Sequence, residues 1–219
     1  MNNFKKRVTA LISGRGSNLS ALLSMMPQSN YQIVSVISDQ DAAGLHLAKN
    51  LQIPTQSLLR KDYLSRDLQR EAIFSAVRDT EPDYIVLAGF MMIIPKKFTD
   101  EFSGKLLNIH PSLLPKFPGL DSHQRAIAAG EKVHGCSVHF VDDGMDTGPL
   151  IAQAQCPVLP DDSVESLSAR VLKLEHRLYP WVLECLATDQ IRLNEKQASF
   201  TELAINQAQA AAFSLVVSI

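Results

Sequence analysis

Asn108 and His110 stand one residue apart in the apolar run Leu106-Leu107-Asn108-Ile109-His110-Pro111. An amide and an imidazole presented together could hold an oxyanion and move a proton, which is what acyl transfer requires. In an extended chain, positions two apart share a face, so the two side chains project side by side. Pro111 cannot donate to a ladder, so the strand is expected to end there. In open α/β sheets the carboxyl end of a strand is where ligands bind. An Asn-x-His alone is equally compatible with a buried strand whose polar groups satisfy local hydrogen bonds.

Three other stretches carry chemistry. Gly14-Arg15-Gly16-Ser17-Asn18 sits between the apolar run 7–13 and the helically spaced Leu19, Leu22, Leu23 and Met25. A glycine-rich turn feeding a helix N-terminus offers free N–H groups and the positive dipole end to an anion. No Gly-Lys-Ser/Thr follows, and Leu19 stands where a dinucleotide fingerprint has its third glycine, so a single phosphate fits better than a pyrophosphate. The alternative is a plain tight turn in which Ser17 or Asn18 caps the helix. The second stretch, Asp142-Asp143-Gly144-Met145-Asp146-Thr147-Gly148-Pro149, separates two alternating runs and reads as a hairpin tip. One carboxylate could swing against the His110 face, while turn chemistry accounts for at least two of the three aspartates. The third, Gly89-Phe90-Met91-Met92-Ile93-Ile94-Pro95, could line the pocket of a flat organic ligand. On the residues alone, core packing under the next helix is the stronger reading.

The elements that must hold these residues follow from periodicity. Strands are expected at 7–13, 31–37, 54–58, 84–88, 105–110, 135–141, 150–158 and 190–194. Helices are expected from Leu19, at 42–51, 60–78, 98–102 and 122–129, and from an Asp162-Ser163 cap through Ala187, with a kink at Pro180. The alternation predicts an α/β fold: an open, mostly parallel, twisted sheet with helices on both faces, then an antiparallel hairpin and a long helix. Residues 1–194 form the expected domain. Residues 195–219, rich in alanine and glutamine, form a tail with no assignable role.

With 219 residues, 46% hydrophobic and 20% charged, the chain can bury a substantial core. A net charge of -2 argues against a nucleic-acid surface as the main feature. The apolar run after Lys5, Lys6 and Arg7 is too short for a signal peptide, and no run is long enough to span a membrane. Cys136, Cys156 and Cys185 make neither a metal spacing nor a disulfide framework, which fits a reducing cytoplasm.

Four motifs then coincide: Ile12-Ser13-Gly14-Arg15-Gly16-Ser17-Asn18, Leu87-Ala88-Gly89-Phe90-Met91, Leu107-Asn108-Ile109-His110-Pro111-Ser112-Leu113-Leu114-Pro115, and the hairpin from His134-Gly135 to Asp146-Thr147-Gly148-Pro149. Together, over about residues 7–194, they resemble the folate-dependent phosphoribosylglycinamide formyltransferases of purine synthesis, which have a Rossmann-like fold. The resemblance implies transfer of a formyl group from 10-formyltetrahydrofolate, a cosubstrate, to the primary amine of glycinamide ribonucleotide, without a metal. Asn108, His110 and Asp146 would be catalytic. Gly16, Ser17 and Asn18 would hold the phosphate and Glu175 the ribose. Folate would lie across Met91, Met92, Ile93 and Ile94, with Asn108 and the backbone of Asp142, Asp143 and Gly144, and with Arg66 near its glutamate tail. Small molecules would be the only partners, and the protein would be a monomer or weak homodimer. Three positions depart from the family: Met92 where Arg is frequent, Asp39 where Asn follows Ser38, and Asp121 where His follows Pro-Gly-Leu. The tail after Asn194 does not resemble the family.

Other enzymes share the Asn-x-His and Asp-x-Gly-Pro. A methionyl-tRNA formyltransferase would carry an RNA-binding domain and a basic surface. A formyltetrahydrofolate hydrolase would carry an N-terminal regulatory domain. A non-catalytic phosphometabolite or folate sensor could use the same fold, but it would not need Asn108, His110 and Asp146 together.

Overall fold

The computed structural model describes residues 5–194 and 197–216. The chain forms two compact units, Met1–Leu107 and Asn108–Ile219. The first contains β1 (Lys6–Ile12), α1 (Ser17–Met25), β2 (Tyr31–Ser38), α2 (Leu45–Asn50), β3 (Thr55–Ser57), α3 (Arg66–Asp79), β4 (Tyr84–Leu87) and α4 (Lys96–Glu101). Its strands lie in the order β4-β1-β2-β3, and each pairing is parallel. Parallel strands covered on both faces read as unbroken apolar runs. Val8, Ala10, Leu11 and Ile12 of β1 are accordingly all fully buried.

Helix α3 begins six residues later than the periodicity suggests. Arg60–Asp62 form a separate 3₁₀ turn, and extended Ser65 then caps α3 by accepting from the Leu68 N–H. Its side chain satisfies a first-turn donor that would otherwise have no partner.

Strand β5 (Leu106–His110) begins in the first unit and ends in the second. After it come α5 (Ser122–Ala128), β6 (Val133–Phe140), β7 (Leu150–Pro157), α6 (Val164–Ala187), β8 (Ile191–Asn194), β9 (Gln197–Phe200), α7 (Glu202–Ala211) and β10 (Ser214–Leu215). β6 and β7 make the expected antiparallel hairpin. α6 opens with a Ser163/Ser166 capping box and continues past Pro180 to Ala187, so the proline does not end it. The fold is thus α/β and mostly parallel, with the antiparallel hairpin and long helix following.

The tail is structured over its described residues; 195–196 and 217–219 lie outside them. β9 pairs with β8, and β10 pairs antiparallel with β7 through Ser214 opposite Gln153 and Leu215 opposite Ala152. Phe213, 7% exposed, packs on Trp181 of α6 with ring centroids 5.3 Å apart.

Candidate active site

Strand β5 buries Leu106, Leu107, Ile109 and His110 and leaves Asn108 half-buried. The loop after it is fixed by serine hydroxyls. Ser112 Oγ donates to the Lys116 carbonyl (2.6 Å), Ser122 Oγ to that of Pro111 (2.7 Å), and Ser137 Oγ of β6 to that of Ser112 (2.6 Å). Arg125 of α5 donates to the Pro118 carbonyl and stacks over the Phe117 ring, 5.5 Å from its centroid. So held, Phe117 and Asp121 both adopt φ of 56°, in the left-handed region. A bulky residue pays for that conformation, and here the surrounding bonds impose it.

This loop and the β6–β7 hairpin bring Asn108, His110 and Asp146 together. Asp146 Oδ2 lies 3.2 Å from His110 Nδ1 and accepts from the Gly119 N–H at 2.8 Å. Its Oδ1 accepts from Asn108 Nδ2 at 3.3 Å and lies 3.6 Å from His139 Nε2. His110 Nε2 faces the Phe117 carbonyl at 2.9 Å. Both nitrogens of His110 therefore face acceptors, an arrangement fully satisfied only when the ring carries two protons.

Burial works against that charge and lowers the His110 pKa below 6.5, while the Phe117 carbonyl and Asp146 pull the other way. For Asp146, burial would raise the pKa. The nearby His139 ring, the Gly119 N–H and His110 outweigh it and bring the pKa to about 2. The carboxylate is thus a permanent anion at neutral pH, next to an imidazole whose protonation is finely opposed.

His139 belongs to this cluster and was not legible as a site residue. Its Nδ1 donates to the Phe140 carbonyl at 2.7 Å, and its Nε2 lies 3.2 Å from Asn108 Nδ2, beside the Asp146 carboxylate. The available signal was its place on the hairpin strand, just before the acidic tip. The Phe117 carbonyl and Gly119 N–H were also missed; as backbone groups they leave no mark in residue type.

The other aspartates behave as turn residues or lie exposed. Asp142 Oδ1 accepts from the Gly144 N–H (3.0 Å) and from Thr147 Oγ1 (2.8 Å), while Asp143 and Gly144 are exposed. Glu175 is 7% exposed on α6.

In the first unit, Gly16 precedes α1 with φ 78°, and no side chain caps the helix, so neither Ser17 nor Asn18 takes the capping role. A Cβ on Gly16 would come within 2.9 Å of Gly44 Cα. The Gly44 N–H donates to the Gly14 carbonyl at 3.0 Å, which clamps the turn. The apolar stretch after β4 divides. Ile94 is buried, while Met91 and Ile93 are 70% and 67% exposed, so core packing explains only part of it. Met92 is half-buried, and Arg66 is exposed in the first turn of α3. Among the described residues no group of His, Cys, Asp or Glu could hold a metal ion, and no helix is long and apolar enough to cross a membrane.

Residues 6–183 match the formyl transferase family model. The phosphoribosylglycinamide formyltransferase of Haemophilus influenzae is 42% identical over 88% of this chain and 92% of its own length. That of Escherichia coli is 40% identical over 87% and 92%. The trifunctional purine biosynthetic protein adenosine-3 of Drosophila melanogaster is 42% identical, and the match spans 15% of that longer protein. The solved phosphoribosylglycinamide formyltransferase of Coxiella burnetii superposes with TM-score 0.85 at 41% identity, over 90% of this chain and 93% of that one. The chain belongs to the formyl transferase family, on its phosphoribosylglycinamide formyltransferase branch.

Proposed function

We propose that this enzyme transfers the formyl group of 10-formyltetrahydrofolate to the primary amine of glycinamide ribonucleotide, with Asn108, His110 and Asp146 as the catalytic residues. The observation that carries the reading is the Asp146 carboxylate bound at once by His110, Asn108 and the Gly119 N–H in one half-buried cluster.

The amine attacks the formyl carbon and gives a tetrahedral intermediate with an oxyanion. The Asn108 amide and a protonated His110 stabilise that charge. At rest Asn108 Nδ2 is spent on Asp146 and His139, so one of its hydrogens turns to the oxyanion when the reactants bind. His110 keeps its Nδ1 contact with the Asp146 anion and gives up the Phe117 carbonyl, because a bond to a neutral acceptor is the weaker one. Its Nε2–H then serves the reaction. The amine loses a proton and N10 of the departing tetrahydrofolate gains one, by way of His110 or a water held by Asp146. Collapse breaks the bond from the formyl carbon to N10 and leaves the formamide.

Gly16, Ser17 and Asn18 would bind the substrate phosphate, and Glu175 the ribose. Exposed Met91 and Ile93, with Met92 and Ile94, would meet the folate ring system, with Asn108 and the backbone of Asp142, Asp143 and Gly144, and Arg66 would meet the glutamate tail. All reactants are small molecules. A monomer or weak homodimer in the cytoplasm is the proposed state; the three buried, free cysteines support a reducing compartment.

The direct test follows the release of tetrahydrofolate from 10-formyltetrahydrofolate with and without glycinamide ribonucleotide. Turnover that needs the ribonucleotide is expected. No turnover with it overturns the reading, and equal turnover without it makes the enzyme a hydrolase.

A further inference from the structure

Ser13 is the residue at which β1 gives way to the Gly14–Asn18 turn, and it is 4% exposed. Its three polar groups engage two neighbouring loops of the first unit. Its N–H donates to the Gly89 carbonyl at 3.0 Å, and its carbonyl accepts from the Gln40 side-chain amide. Its hydroxyl accepts from the Met91 N–H at 2.9 Å. The first two bonds extend sheet and loop packing. The third reaches beyond Gly89 to the start of the exposed apolar stretch, where the Met91 and Ile93 side chains stand open to solvent.

We propose that Ser13 is a positioning residue whose hydroxyl couples the phosphate turn to the folate stretch, so that filling either one orders the other. The proposal rests on the assignment of these two segments to phosphate and folate. A phosphate bound by the N–H groups of the turn holds Gly14 to Asn18 still. Gly14 is clamped on one side by Gly44, and on the other side the Ser13 hydroxyl ties the turn directly to the Met91 N–H. A fixed hydroxyl fixes the Met91 N–H, and the ligand arriving second meets a surface already ordered. By linkage the effect is reciprocal: the substrate tightens folate by the same factor as folate tightens the substrate.

The experiment uses tetrahydrofolate and glycinamide ribonucleotide, which cannot react with each other. Tetrahydrofolate is titrated calorimetrically with and without saturating ribonucleotide, against the unmodified enzyme, Ser13→Ala and Ser13→Thr. The unmodified enzyme is expected to bind tetrahydrofolate at least about 5-fold tighter in the presence of ribonucleotide, within the usual range of coupling between sites. Ser13→Ala should lower that factor below about 2-fold and still bind each ligand alone, while Ser13→Thr, which keeps the oxygen, retains coupling. In turnover, Ser13→Ala should raise the folate KM at saturating ribonucleotide with little change in kcat. Coupling that survives in Ser13→Ala, or no coupling in the unmodified enzyme when both ligands bind, overturns the proposal. Hydrogen exchange separates this from failure of the site assignment. The ribonucleotide should protect the amides of residues 14–18 and tetrahydrofolate those of 89–94. If neither ligand protects its segment, the assignment fails and the proposal with it.

Discussion

The Oδ2 atom of Asp146 lies 3.2 Å from Nδ1 of His110. The carboxylate is anionic at neutral pH, because its partners bring its pKa to about 2 despite partial burial. The imidazole is pulled toward the neutral form by burial and toward the charged form by Asp146 and the Phe117 carbonyl. A donor held in such opposition changes charge readily when a reactant alters its surroundings.

Asp146→Asn tests that contact cleanly. Asp146 has φ of 56°, a conformation asparagine also tolerates, so the variant removes charge with little change of backbone or size. It should cut kcat by about 10²-fold, on the scale of general acid–base catalysis, with a modest change in KM. Asp146 raises the His110 pKa, so its loss should drop that pKa further below 6.5, read by NMR of the labelled imidazole. Asp142→Asn and Asp143→Asn should keep most activity. An inactive Asp146→Asn with an unmoved His110 pKa would mean that the carboxylate acts on water or the amine instead.

Truncation after Ala212 probes the tail. It removes Phe213 from its seat against Trp181 and Arg177, and unpairs Gln153 and Ala152 of β7. Loss of a buried phenylalanine costs about 3 kcal/mol on the scale of large core deletions, and an uncovered strand edge invites pairing with another chain. The truncated protein should melt several degrees lower and self-associate on gel filtration, yet keep its kcat when folded. A folded monomer without activity would assign the tail to catalysis.

The Asn-x-His and the acidic hairpin could be read in the sequence because alternation along a strand fixes which side chains share a face. Asp146 could be singled out from its neighbours only through the family motif. The structure supplies a physical reason, since Asp142 spends its carboxylate on Gly144 and Thr147. The Phe117 carbonyl and Gly119 N–H could not be read at all. Their direction depends on left-handed backbone held by the hydroxyls of Ser112, Ser122 and Ser137, bonds that span from four to 25 residues of chain and that residue type alone does not announce. The tail was opaque because two residues of β10 carry no periodicity of their own; they are a strand only by pairing with β7.

Gly16→Ala should damage both the phosphate turn and its scaffold. The added Cβ enters a left-handed backbone and comes within 2.9 Å of Gly44 Cα. The strain is roughly 1 kcal/mol or more, which lowers the melting temperature by several degrees. The ribonucleotide KM should rise more than the folate KM. Gly14→Ala is the control for folding, since a Cβ there meets nothing within 4 Å and its melting temperature should hold. Equal losses for both ligands in Gly16→Ala would make the turn purely structural.

His134 is expected to set the acid limit of stability. It is 1% exposed on β6, with Nε2 3.2 Å from His123 Nδ1. Burial, and then the neighbouring His123, hold its pKa at about 4, against the bond it makes to the Pro111 carbonyl. Between pH 6.5 and 4 the unfolded chain therefore carries a proton on this ring that the folded chain lacks. Stability is fully present above about pH 6.5 and declines as pH falls toward 4, by up to about 3 kcal/mol at 1.36 kcal/mol per unit. Asp146 adds a second loss in the same direction at lower pH, as its carboxylate protonates between 3.8 and about 2. His134→Gln cannot titrate. Whatever it costs at pH 7, its urea midpoint should fall less between pH 7 and 4.5 than that of the unmodified enzyme. Equal falls would show that His134 takes up its proton without unfolding, and would move the acid sensitivity to His110 and His123, whose pKa values burial also lowers.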